Sequence, residues 1–553
     1  MTLKELINSI SKKEWRFVIL LSIVLILITT LPYIYAALNA PSGHFWNGIH
    51  AITPGDSAVY FSFITQIKDG NWLLQDNFTS EVQSGGLFNL FWLKIGLFAK
   101  IFHLSPIWAF QLARIILIPI LIIVLYFLTS YFLENISQRK AAMIFLSFAS
   151  GIGAYFVGLF DKLFPYDPNS FVYKWLMDIW IPDSNIFLSL YQSPHFVFSL
   201  TLMVIFFLLI ILAFKNNNYR YSLAAGLVAL FWFNFHPFYF PYIFAIIFVY
   251  LLYLIYKTKK WQLIYHFLLA LILALPFVIY HYYKIKTDFV IGQRAAQNVT
   301  ITPDFLFIGL GFGFLLFMAI VSIFFLLKNK KLWVNEKYMF IVIWLCVGFI
   351  LVYSPIFFQA RFLQGLQIPM VFLTIILFSK LALWFEKKYS RLYLAVKQNY
   401  VILGFLFLIF FGFSTFFNLV RDIYYFKTQL PNFYLPKEFV TAVKQLEEDN
   451  ISKKAVISFE YNANLIPAFA NVQTFLSHRI ETLYYWDKEK KYQDFFNDQY
   501  NAEQLKEFFN DYNLGYLFFS SLERKFSKFN PENKDYLVKI FNQGDIEIYK
   551  FIQ

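Results

Sequence analysis

One cysteine in 553 residues, Cys346, lies inside an apolar run. A single chain therefore builds neither a disulfide framework nor a cysteine-based metal site. Charge is scarce as well: charged residues make up 15% of the chain, against roughly a quarter in ordinary soluble domains. No P-loop, dinucleotide fingerprint, H-E-x-x-H pair or nucleophile elbow stands in a suitable context, so classical cytoplasmic nucleotide chemistry has no support. No repeat of fixed period is visible.

What the chain has instead is apolar length. Hydrophobic residues make up 59% of it and fall into runs of about 20, the length that crosses a bilayer core. Spans are expected near 17–38, 108–133, 141–160, 187–214, 221–237, 238–256, 263–283, 304–327, 338–357, 363–386 and 400–420. The first run is long for a signal-peptide core and lacks an A-x-A site, so it reads as a retained helix. The excess of basic residues, 47 Lys and Arg against 34 Asp and Glu, sits mainly in short loops between runs. There it orients the chain and does not point to nucleic acid. The abundance of Phe, Ile, Lys and Asn suits an AT-rich prokaryotic genome.

One apolar stretch, "GGLFNLFWLKIGLFAKIFHLS" at 85–105, is short and carries Lys94, Lys100 and His103. If it does not cross, the basic loops around Arg139/Lys140, Lys215/Arg220, Lys257–Lys260, Lys328–Lys337 and Lys387–Lys397 all join the N-terminal Lys12, Lys13 and Arg16 in the cytoplasm. The positive-inside rule favours that arrangement, and 85–105 reads as an interfacial or re-entrant helix. The expected architecture is a polytopic α-helical membrane protein of about eleven spans, with the N-terminus inside. Residues 1–429 form the membrane domain, with an outer loop at 39–107. Residues 430–553 form a soluble α/β domain outside, with helical pattern in "PKEFVTAVKQLEEDN" and "AEQLKEFFNDYN" and strand-like "KAVISF", "GYLFFSS" and "DIEIYKF".

Polar residues gather where the chain reaches the outer face. In "PGDSAVYFSFITQIK", Tyr60, Phe63, Ile64 and Ile67 fall at helical spacing behind Asp56. Asp56 caps that helix, or serves chemistry, or does both, since a cap is also a rigid mount. "SPHF" brings His195 to the head of a span, and "FWFNFHPF" brings His236 to a hairpin tip; each is a structural hydrogen-bonding group or a substrate contact. In "FFQARFLQGLQIP", Arg361 either snorkels to headgroups or clamps phosphate through its planar guanidinium. Asp76, Glu81, Asp161 and Asp167 read as solvated loop charges.

In order and content these features resemble the GT-C superfamily of integral membrane glycosyltransferases, and more closely the RgtA/B/C/D-like or family-39-like members. The pieces that carry the resemblance are "GDSAVY", "SPHF", "HPF", "ARFLQGLQIP", "LSHRIET" and "GYLFFSSLER", spread over most of the chain. The resemblance implies a GT-C-like bundle and transfer of a sugar from a polyprenyl-phosphate donor to a glycan, lipid or protein acceptor on the extracytoplasmic face of a prokaryotic plasma membrane. It makes Asp56 the general base or a ligand to a divalent metal ion, with Asp161 and Asp167 as further candidate ligands. Arg361 and Gln364 then hold the donor phosphate, and His195, His236 and His478 position substrate. Many relatives carry two adjacent acidic residues where Ser57 follows Asp56 here. From other classes, a transporter or lipid flippase, or a non-catalytic scaffold of this fold, would also need many spans.

Overall fold

The computed structural model describes residues 2–52, 54–165, 175–328, 334–391, 393–394, 399–428 and 431–552. The chain forms two compact units. The first comprises Met1–Pro32, Arg114–Ile279 and Val299–Arg421, and the second Tyr33–Ala113, Tyr280–Asn298 and Asp422–Gln553.

Among the described residues, nine helices are long and apolar enough to cross a membrane. The other two expected spans are helices of 15 residues, Tyr219–Phe233, and 17 residues, Glu336–Val352. The expected 141–160 span is interrupted. Its helix Ile136–Phe148 stops at Ala149 and resumes, after the 3-10 turn Gly153–Phe156, as Val157–Leu163.

An unwound backbone inside an apolar bundle needs partners from its neighbours, and two other irregular helices supply them. Gly313 (φ +53°, ψ −132°) breaks the helix Phe305–Lys328, a conformation open to glycine and strained for other residues. The break leaves the Leu310 carbonyl to accept from Ile152 N at 2.9 Å. The widened turn Leu408–Gly412 likewise offers the Phe411 carbonyl to Ser150 N at 2.6 Å. Asp178 completes the junction, its Oδ2 accepting from Gly153 N at 3.0 Å.

Arg139, one of the basic residues expected in a cytoplasmic loop, is not a solvated loop charge. Its guanidinium is buried at 3.0 Å from Glu14, whose carboxylate also accepts from Tyr126 Oη at 2.7 Å.

The second unit gathers segments far apart in sequence. Strand β1 (His44–Trp46) pairs antiparallel with β2 (Tyr434–Pro436). Strands β3 (Ala455–Ile457), β4 (Leu514–Phe519), β5 (Leu537–Gln543) and β6 (Ile546–Phe551) form a sheet in the order β3-β4-β6-β5, parallel between β3 and β4 and antiparallel elsewhere. The helix Lys437–Asp449 buries Phe439, Ala442, Val443 and Leu446, the i, i+3, i+4, i+7 stripe of an amphipathic helix. The helix within the 85–105 stretch is Leu90–Ile101. Its 12 residues reach only about 18 Å at 1.5 Å per residue, and it packs through Trp92 against Tyr60, ring centroids 5.2 Å apart.

The buried pair gives a stability test. Arg139→Met strands the Glu14 carboxylate among apolar helices and is expected to cost about 3–5 kcal/mol. Adding Glu14→Gln removes the stranded charge and recovers part of that loss, read as the thermal midpoint in detergent. Purely additive losses in the double variant would contradict the pairing.

Candidate functional site

Asp56 lies in the first turn of the helix Pro54–Lys68, two residues inside its start. It therefore does not cap the helix in the strict sense, but its negative charge still meets the positive end of the helix dipole. The His478 ring approaches so closely that a β-carbon on Gly55 would come 2.7 Å from His478 Cδ2. Glycine at 55 is what lets the imidazole lie against the helix start. His478 Nε2 stands 3.3 Å from Asp56 Oδ1. Its Nδ1 accepts from the backbone N–H of Ile480 and of Glu481, each at 3.3 Å. Those two donors fix the tautomer, so the ring proton is on Nε2 and is donated to Asp56. The Asp56 side chain is 42% exposed and that of His478 only 11%. Of the two, Asp56 is the one placed to meet a substrate.

Behind His478 sit Asp76, Glu481 and Arg294, the last two in direct ion contact. Asp76 and Glu81 are not the solvated charges that their loop suggests. Asp76 is buried and its Oδ1 accepts from Phe78 N at 2.9 Å, while Glu81 pairs with the buried Lys488 ammonium at 2.9 Å. These contacts, with Thr474 N donating to the Asn77 carbonyl at 2.9 Å and Thr482 Oγ1 to the Phe78 carbonyl at 2.7 Å, hold the 76–83 loop against the segment that carries His478.

In the first unit, the turns that bear the other candidates converge. Arg361, in the 3-10 turn Gln359–Leu363, stands 3.3 Å from Asp183 Oδ2. Tyr239 Oη donates to Asp183 Oδ1 at 3.0 Å. His195 and His236 are buried edge to face, ring centroids 5.3 Å apart, and Ser193 Oγ lies 2.6 Å from His195 Nδ1. Burial pushes the Asp183 carboxyl above its ordinary range, with Arg361 and the Tyr239 hydroxyl pulling against it.

Gln364, expected at the donor phosphate, is 1% exposed. Its Nε2 donates to the Phe196 carbonyl at 3.3 Å and its Oε1 accepts from Ser199 Oγ at 3.0 Å. The carboxamide is committed to tying the turn after Gln359–Leu363 to the helix Pro194–Asn216. The first unit thus holds Arg361, His195 and His236, and the second holds Asp56 and His478. Asp183 and Tyr239 escaped the sequence reading; "IPDS" in the loop already searched for acidic residues was the available signal.

A divalent metal does not fit the residues described. No group of three or more His, Cys, Asp or Glu side chains among them is arranged to hold one. Asp161, exposed on the helix Val157–Leu163, accepts from Trp175 Nε1 at 2.8 Å, and Asp167 lies outside the described residues.

Interrupted spans, a helix with an acidic residue in its first turn and a C-terminal α/β segment are the main parts of the fold. The same fold is found in an archaeal oligosaccharyltransferase, AglB from Archaeoglobus fulgidus. Its structure in complex with an inhibitory peptide and a dolichol-phosphate matches with a TM-score of 0.51 and 13% identity, over 92% of this chain and 70% of that one. The A. fulgidus oligosaccharyltransferase tethered to an acceptor peptide containing the NVT sequon matches with a TM-score of 0.50 and 14% identity, over 92% and 69%. The complex with Zn and sulfate gives a TM-score of 0.50 and 14% identity, over 90% and 67%. No family model and no curated protein matches the sequence. At such identities the likeness establishes the fold alone.

Asp76 gives a pH test. Burial, then the Glu481 carboxylate, push its carboxyl above the ordinary range against the pull of Arg294. The folded protein therefore keeps a proton that the unfolded chain has released. The stabilisation is complete below the ordinary carboxyl range and is lost as pH rises toward neutrality. Asp76→Asn keeps an acceptor for Phe78 N without the charge. Its thermal midpoint is expected to exceed that of the wild type by a margin that grows between about pH 5 and about pH 8; a margin independent of pH would refute the assignment.

Proposed function

We propose that the protein is a membrane glycosyltransferase that passes a sugar from a polyprenyl-phosphate donor to a glycan, lipid or protein acceptor on the extracytoplasmic face. The observation that carries this reading is the Asp56–His478 contact in a GT-C fold: a carboxylate open to solvent at the head of the first outer helix, oriented by a largely covered imidazole. Asp56 accepts the proton of the attacking acceptor group. His478, whose Nδ1 is occupied by backbone donors, positions Asp56 and does not itself serve as base.

Loss of the sugar leaves negative charge on the lipid phosphate, which a cation must take up. Arg361 fills that role. Its planar guanidinium, held beside Asp183, suits bidentate pairing with phosphate oxygens. His195 and His236 position substrate at the same turns. The dolichol-phosphate bound by AglB supports a lipid-phosphate donor here. An outward-facing second unit is supported by its make-up: 33–113, 280–298 and 422–553 closely match stretches that the basic loops assign to the outer face.

The test is transfer from a synthetic polyprenyl-phosphate hexose in proteoliposomes. Asp56→Asn is expected to lower the rate about 10²–10⁴-fold, and Arg361→Ala to weaken use of the lipid donor, both in folded, inserted protein. Wild-type rates in both variants would remove the assignment. The broken spans also suit a transporter or flippase; movement of the lipid sugar across liposomes without transfer would favour that reading.

A further inference from the structure

A concave site lies in the second unit, beyond the C-terminal end of the helix Pro54–Lys68 that carries Asp56. It is a cleft of about 390 Å³ between residues 70–85 and 447–473, within the size range of small-ligand pockets. Six carboxamides line it, those of Asn71, Gln75, Asn77, Asn450, Asn471 and Gln473, beside the indole of Trp72, which is 62% exposed.

The walls are fixed. Leu74 and Leu87 exchange backbone hydrogen bonds of 2.9 Å in both directions and close the loop between them. Gln66 Oε1 accepts from Gln75 N at 2.9 Å, and Asn77 Nδ2 donates to Asn471 Oδ1 at 2.9 Å. Of the charged residues in the lining, Glu447 and Lys453 are one of each sign, so the cleft carries no net formal charge and lacks the cationic character that a phosphate or acidic peptide needs.

We propose that this cleft is a saccharide-binding subsite for a neutral oligosaccharide. Gln75, Asn77, Asn450 and Gln473 each give one N–H to a protein oxygen, which fixes them in place; the second N–H of each carboxamide matches sugar hydroxyls, which both donate and accept. The exposed indole offers an electron-rich face to the C–H face of a pyranose ring. Asp56 lies about 20 Å away along the helix at 1.5 Å per residue. The bound sugar is therefore remote from the reacting group and belongs to the far part of an extended glycan acceptor. That last step rests on the glycosyltransferase reading, whereas binding does not.

The experiment is a microarray of neutral and acidic oligosaccharides probed with the full-length protein in detergent, followed by calorimetric titration of the strongest neutral binder. Trp72→Ala is expected to weaken binding about tenfold, the worth of one aromatic face, with Trp72→Tyr restoring most of it. Trp261→Ala, at a similarly exposed tryptophan (68%), leaves binding unchanged, and so does Asp56→Asn. A failed transferase assay with Trp72-dependent binding intact would sink the function above and spare the subsite. Binding of acidic glycans only, binding indifferent to Trp72, or no glycan binding would each overturn the subsite.

Discussion

Hydrocarbon offers no hydrogen bonds, and that constraint governs the rest of this fold. Every peptide group in a span is satisfied by its own helix or by a neighbour. The spans therefore carry little chemistry, and where they unwind, as at Ala149–Ile152, other helices supply the missing partners through Leu310 and Phe411. Polar side chains able to act on a substrate are left to the turns and to the segments that assemble the second unit.

Within that unit, position is obtained by close approach. Asp56 alone would be a helix-dipole charge with a free choice of rotamer. The bare α-carbon of Gly55 admits the His478 ring, and two backbone N–H groups decide which ring nitrogen carries the proton. Arg361 in the first unit is treated differently, held beside a buried acid whose own ionisation is disfavoured.

Hydrophobic length made the spans legible, and 3.6-residue periodicity found the helices at Lys437–Asp449 and Ala502–Asp511. Both are signals contained in a dozen or so neighbouring residues. The strand β5 went unread because "LVKIFNQ" alternates poorly, its burial running from Leu537 through several exposed positions. Asp76 and Glu81 looked solvated because the groups that bury them, Arg294, Glu481 and Lys488, stand hundreds of residues away. Asp56 stood out by its place in the chain, just behind the first apolar run. Its partner His478 was visible as a residue, but the contact depends on a fold that brings together positions 422 residues apart. Gln364 erred the other way, since nearness in sequence to Arg361 suggested a shared ligand and packing assigned it to Phe196 and Ser199.

The separation between Asp56 and His478 has a consequence for biogenesis. The loop bearing Asp56 leaves the ribosome early, and β1 must wait for β2, almost four hundred residues later, before its edge is paired. Contacts of such long range close slowly because loop entropy is lost before any bond forms. During insertion, then, the nascent chain exposes an incomplete carboxylate site for as long as the spans are being threaded. The pair forms in one step, when the last segment of the second unit docks, so that a stalled chain holds Asp56 without His478.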